Sequence, residues 1–208
     1  MNHLLFKIIT EDADPQFLLS YILQESHPVI AHYGNNQIGT LFPEWNVDDP
    51  GRSIAFYGDS TVLNKIMERE YFRDMLDGEI LESKLLEVDP ENAQKAIFLR
   101  NQRITSNSPK GQQRKVKRII RRQIDRGEIS SPAEYKPRSD QHQTEVQDIF
   151  FHLFFPDSMS TGQNMPLCIQ MVPVDESEEL EGLQTFDHYG FSTLQEHRAS
   201  VPLITPIF

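Results

Sequence analysis

The side chain best suited to proton transfer is His27, in the stretch ESHPVIAHYG (25–34). Proline disfavours the α conformation in the residue before it, which predicts that the first helix ends or bends at His27. That leaves an imidazole at an element terminus, where catalytic groups often lie; a lone histidine is more often an ordinary surface or core residue. A second candidate is SMSTGQ (158–163), where Ser158, Ser160 and Thr161 gather hydroxyls beside Gly162. Such a segment can orient a substrate hydroxyl or hold a phosphate oxygen, and it can equally be a plain turn between strands. It is not a nucleophile elbow, because no G-x-S-x-G is present, and the chain has no G-x-x-x-x-G-K-[ST] phosphate loop. No spacing of the seven histidines suggests a metal site: His27 and His32 do not share a helical face and have no cysteine beside them.

A different chemistry is concentrated between Arg100 and Arg126. Ten Lys/Arg and one acid, Asp125, fall there, giving a net +9 in a chain whose total is −11. At 100° per residue, Val116, Ile119, Ile120 and Ile124 share one face of a helix over 110–126. Arg114, Lys117, Arg118, Arg121 and Arg122 lie opposite, with Asp125. A solvated charged face normally mixes signs, and this one nearly lacks acids. A membrane-surface helix is disfavoured because the acidic bulk would be repelled by anionic lipid. A phosphate backbone matches best, since guanidinium groups bind phosphate in bidentate pairs.

The elements around these residues predict an α+β protein. HLLFKIIT (3–10), QIGTLF (37–42), SIAFYG (53–58) and ILESKLLEV (80–88) read as strands. FLLSYILQES (17–26), with apolar positions at Leu18, Tyr21 and Ile22, reads as a helix. A second helix, capped by Asp59 or Ser60, runs through VLNKIMERE and on into YFRDML. The order β-α-β-β-α-β is that of the ferredoxin-like (RRM-like) unit, which by itself implies no single function. We place this domain at 1–92 and a second α+β domain, carrying the arginine-rich helix, at 93–208. In the second, AIFLRNQ (96–102), IFFHLFF (149–155) and MPLCIQM (165–171) read as strands, 129–147 as an irregular connection, and 175–181 as an acidic loop. The single cysteine, Cys168, excludes an intramolecular disulfide and suits a reducing, cytoplasmic setting. No apolar run reaches the roughly 20 residues that cross a bilayer, and the N-terminus lacks the features of a secretory signal.

Together these segments resemble the subtype I-F CRISPR-associated endoribonuclease that cuts repeat RNA into guide RNAs. His27, eleven residues ahead of IGTLFP (38–43), matches the family's catalytic histidine before its I-G-x-x-F-P strand. RNQ (100–102) and RIIRR (118–122) match its Arg-x-Gln segment and arginine-rich helix. SMSTGQ (158–163) matches a Ser-x-Ser-Thr-Gly-Gln segment, and HYGFS (188–192) a Tyr-Gly-Leu-Ser segment near the C-terminus. The resemblance implies cleavage without metal or other cofactor. The ribose 2′-hydroxyl at the base of a repeat hairpin attacks the adjacent phosphate, giving a 2′,3′-cyclic phosphate and a 5′-hydroxyl.

In that reading His27 is the general base and Ser158 holds the ribose hydroxyl in line, with Ser160, Thr161 and Tyr189 supporting the site. Arg100 and Gln102 read base edges at the lower stem. Arg114, Lys117, Arg118, Arg121 and Arg122 grip the stem, and Thr161 and Gln163 add contacts to the RNA. The implied partners are the repeat hairpin and the other subunits of a type I-F surveillance complex, or proteins of a transposon-associated system; no membrane is involved. Met165 stands where the family often has an aromatic that can stack on a terminal base. Two rival readings stand beside this one: a hairpin-binding subunit that does not cleave, and a structural protein whose basic helix docks an acidic partner.

Overall fold

A computed structural model describes residues 1–102, 109–135, 150–156, 165–174, 184–194 and 196–204. Two compact units emerge, residues 1–101 with 150–208, and residues 102–149. The boundary expected at residue 92 falls between the last strand of one sheet and the first strand of the next.

The first sheet holds β1 (Asn2–Ile8), β2 (Gly39–Leu41), β3 (Ser53–Gly58) and β4 (Leu81–Glu87) in the order β2-β3-β1-β4. All its pairings are antiparallel, so the ferredoxin-like expectation holds. β1 is central, and an apolar run buried on both faces suits that place: Leu4, Leu5, Phe6 and Ile8 are all buried.

α1 (Pro15–Tyr33) starts where Asp14 accepts hydrogen bonds from the N–H groups of Gln16 and Phe17, with Pro15 at a position that needs no N–H. Its buried stripe is Leu19, Ile22, Leu23, Ser26, Val29 and Ile30, one residue out of phase with the stripe read from the sequence. The helix does not end at His27. It continues through Pro28 to Tyr33, because Val29 and Ile30 are anchored in the core and hold the turn beyond the proline in place.

The second helical segment divides into α2 (Ser60–Met67), capped by Asp59, and α3 (Glu70–Asp77). Arg69 between them is extended and forms an ion pair with Glu25 of α1 at 2.5 Å. The break re-aims α3, so that Phe72 stacks on Phe6 with ring centroids 4.7 Å apart.

The second sheet contains β5 (Lys95–Arg100), β6 (His152–Phe154), β7 (Leu167–Pro173), β8 (Ser192–Thr193) and β9 (Val201–Pro202). The order is β6-β7-β5-β8, and β9 shares the edge of β5 with β8. The last two strands were not expected; at two residues each they carry no periodic signal. Phe42, just after β2, stacks on Phe154 at 4.8 Å and packs near Phe98 and Phe191, so one apolar cluster serves both sheets.

In the other unit, α4 (Pro109–Asp125) begins one residue ahead of the helix expected over 110–126 and ends one residue short of it. It ends in a Schellman arrangement: the N–H of Glu128 bonds to the carbonyl of Gln123, that of Gly127 to Ile124, and Gly127 has φ +71°. A short 3-10 turn, Pro132–Glu134, follows.

Candidate active site

His27 lies on the flank of α1, half-buried, five residues beyond Ile22 and facing the chain around residue 188. Its Nδ1 is 2.8 Å from the carbonyl oxygen of His188. A carbonyl only accepts, so Nδ1 carries the hydrogen and Nε2 of the neutral ring keeps its lone pair. The ring also lies flat on Tyr189, centroids 4.1 Å apart and planes 12° from parallel.

The turn 187–191 that presents these partners is built around one carboxylate. Oδ1 of Asp187 accepts from the backbone N–H groups of Tyr189 and Phe191, each at 2.9 Å, and Oδ2 accepts from Arg100 at 2.8 Å. The N–H of Gly190 closes the turn onto the Asp187 carbonyl at 2.9 Å. Gly190 has φ +80°, and a Cβ there would meet Thr40 Oγ1 at 2.2 Å, so both conformation and space require glycine. Thr40 of β2 pins the turn twice: its hydroxyl donates to the Tyr189 carbonyl at 2.8 Å, and its N–H to that of Gly190 at 2.7 Å.

Burial raises the Tyr189 phenol above its ordinary range; the Arg100 guanidinium, 5.5 Å from the ring, opposes this and the Asp187 charge adds to it. The phenol therefore stays protonated at neutral pH.

The structure thus brings His27, Tyr189 and Arg100 together. Ser158, Ser160, Thr161 and Gln163 lie outside the described residues. The ends of their segment are fixed, however: the N–H of Met165 bonds to the Pro156 carbonyl at 3.0 Å, and that of Phe155 to Ser20 Oγ of α1 at 3.0 Å. Met165 itself packs on the apolar core. The acidic segment 175–181 also falls outside the described residues, as does 136–147 of the expected connection.

The remaining candidates belong to the unit 102–149. Gln102 is exposed. On α4, Lys117, Arg118, Arg121 and Arg122 are exposed, with Val116, Ile119 and Ile120 partly covered on the opposite face, as the periodicity predicts. Ile124 departs from the expectation at 37% exposure, at the final turn of the helix. Arg114 lies in the first half of α4, whose side chains are outside the described residues.

Asp187, Thr40 and His188 were not singled out from the sequence. For Asp187 a signal existed: D-H-Y-G is a turn pattern in which an aspartate bonds its own backbone two residues on. Thr40 carried none, because its partner lies 149 residues away.

A family model described as CRISPR-associated protein (Cas_Csy4) matches residues 7–204. No curated protein matches the chain.

Proposed function

The chain belongs to the Cas_Csy4 family of CRISPR-associated proteins, and from that premise we propose that it is an endoribonuclease cutting CRISPR repeat hairpins in precursor RNA. The observation that carries this reading is the hydrogen bond from His27 Nδ1 to the His188 carbonyl, which leaves Nε2 as an oriented proton acceptor. His27 takes the proton of the ribose 2′-hydroxyl, and the 2′-oxygen attacks the adjacent phosphate. The products are a 2′,3′-cyclic phosphate and a 5′-hydroxyl. Because the nucleophile belongs to the substrate, the protein has to supply alignment and proton transfer, not a covalent intermediate.

Ser158 aligns the attacking hydroxyl in this reading. In its support, Phe155 is tied to Ser20, seven residues before His27 on α1, or about 10 Å along the helix axis. Ser160 and Thr161 assist there, and Tyr189 holds the imidazole in plane.

Arg100 and Gln102 contact bases at the lower stem. The guanidinium row of α4, with Arg114 and Lys117, binds stem phosphates, and Thr161 and Gln163 add contacts near the cut. Stem contacts of this kind are the same before and after cutting. They hold the product without accelerating the reaction, so the enzyme stays on its guide RNA as a subunit of a surveillance complex.

The test is a cleavage assay on the cognate repeat hairpin in EDTA, wild type beside His27→Ala. One cut that disappears in the variant, with hairpin affinity within a few-fold, supports the reading. Tight binding without any cut by the wild type would leave a binding subunit in its place.

A further inference from the structure

Transesterification moves two protons, and the base accounts for one. As the bond from the 2′-oxygen to phosphorus forms, the bond from phosphorus to the 5′-oxygen breaks and its electron pair stays on that oxygen. An alkoxide is a poor leaving group in water, so a positioned acid that protonates the 5′-oxygen lowers the barrier further. Around His27 the described residues offer three donors. Tyr189 is buried, stacked on the base, and held in its protonated form by burial. Arg100 is bound to Asp187, and a guanidinium does not release its proton in this pH range. His188 is the third. It is exposed, and its ring centroid lies 6.4 Å from that of His27 with the planes 41° apart.

We propose that His188 is the general acid of this reaction, donating its proton to the 5′-oxygen as His27 accepts that of the 2′-hydroxyl; the proposal rests on the cleavage reading above. Hydrogen bonds of about 2.8 Å on either side of a reacting phosphate require donor and acceptor nitrogens on the order of 6–8 Å apart. Ring centroids 6.4 Å apart allow a nitrogen separation of that size. His188 contributes twice: its carbonyl fixes which nitrogen of His27 is the base, and its side chain stands beside that base with access to water, from which it recovers a proton between turnovers. Among the described residues, the charged and titratable groups packed around this turn are His27 from α1, Arg100 from β5, and Asp187 and Tyr189 within the turn itself. Arg100 and Asp187 offset each other at 2.8 Å.

The backbone origin of the His27 contact makes the test clean, since His188→Ala keeps the carbonyl that orients the base. Single-turnover cleavage is measured for wild type, His188→Ala and His27→Ala on two hairpins. One has the natural 5′-oxygen at the cut and the other a bridging sulfur, a leaving group that departs without protonation. His188→Ala is expected to lose about 10²-fold or more on the oxygen substrate and to fall within about threefold of wild type on the sulfur one. His27→Ala stays slow on both. Equal losses on both substrates, or no loss on either, would overturn the assignment while leaving the cleavage reading intact. A wild type that cuts neither would remove both.

Discussion

The turn at 187–191 and the helix α4 are both polar, and they are built on opposite plans. In the turn a carboxylate at 7% exposure accepts three hydrogen bonds and is wrapped by backbone. Two residues of the turn touch the ring of His27 directly, His188 by a hydrogen bond and Tyr189 by stacking. On α4 the guanidinium groups of Arg118, Arg121 and Arg122 stand exposed in a row, set only by helical period. Preorganisation of the first kind suits chemistry, where an ångström of misplacement is costly. A row of the second kind suits attraction to a polyanion, which tolerates small shifts and is screened by salt. If this contrast is right, damage to the turn reduces rate at saturating RNA, and damage to the helix reduces affinity.

The largest effect is expected at the base itself: His27→Ala should slow cleavage by about 10³-fold or more with the fold unchanged by circular dichroism. Asp187→Ala comes next. It removes the acceptor for two backbone N–H groups and for Arg100. Single-turnover rates should fall about 10²-fold, and urea titration should show a loss of about 1–3 kcal/mol. Wild-type rates in that variant would mean the turn does not position the base.

Arg118→Ala with Arg121→Ala should weaken hairpin binding about tenfold at moderate salt and lower the slope of log affinity against log salt by about two. The rate at saturating RNA should stay within twofold, and a matching fall in that rate would erase the division of labour.

The smallest effect at neutral pH concerns His3, which sharpens the comparison from a third side. It is fully buried, and among the described residues neither ring nitrogen has a partner in hydrogen-bonding geometry. Burial lowers its pKa to about 4, offset only in part by the backbone at Pro202. The unfolded chain therefore binds one more proton between pH 6.5 and 4. Stability is full above that window and falls as pH drops through it, by about 3 kcal/mol in all. Urea midpoints at pH 7 and pH 4.5 should show a gap that shrinks in His3→Phe.

What the sequence revealed follows the same division. The α4 face was legible because a 3.6-residue period and a sorted charge are local properties. The ferredoxin-like order was legible for a similar reason: β1 and β3 are compact apolar runs between turn signals, and Asp59 caps α2. The end of α1 was misread, since Pro28 biases the backbone locally whereas Val29 and Ile30 are held by tertiary burial. The α2–α3 break depends on Glu25, 44 residues from Arg69. At the site, His27 was reached by its residue type and by resemblance. The network that orients it joins residues 40, 100 and 187–191, and contacts at such separation leave no trace in local pattern.

The way the unit 102–149 is attached has a consequence for evolvability. The chain leaves β5 after Arg100 and rejoins the same sheet at His152, and both of these residues pair with Ile169 of β7. Exit and return therefore lie level with each other, two strand spacings or about 10 Å apart. Loop-closure entropy grows only slowly with length. An excursion from such a doorway can lengthen, shorten or change its charge without disturbing strand register or the turn that holds His27. A lineage can therefore rewrite this one interval while it inherits the turn and its contacts with His27 unchanged.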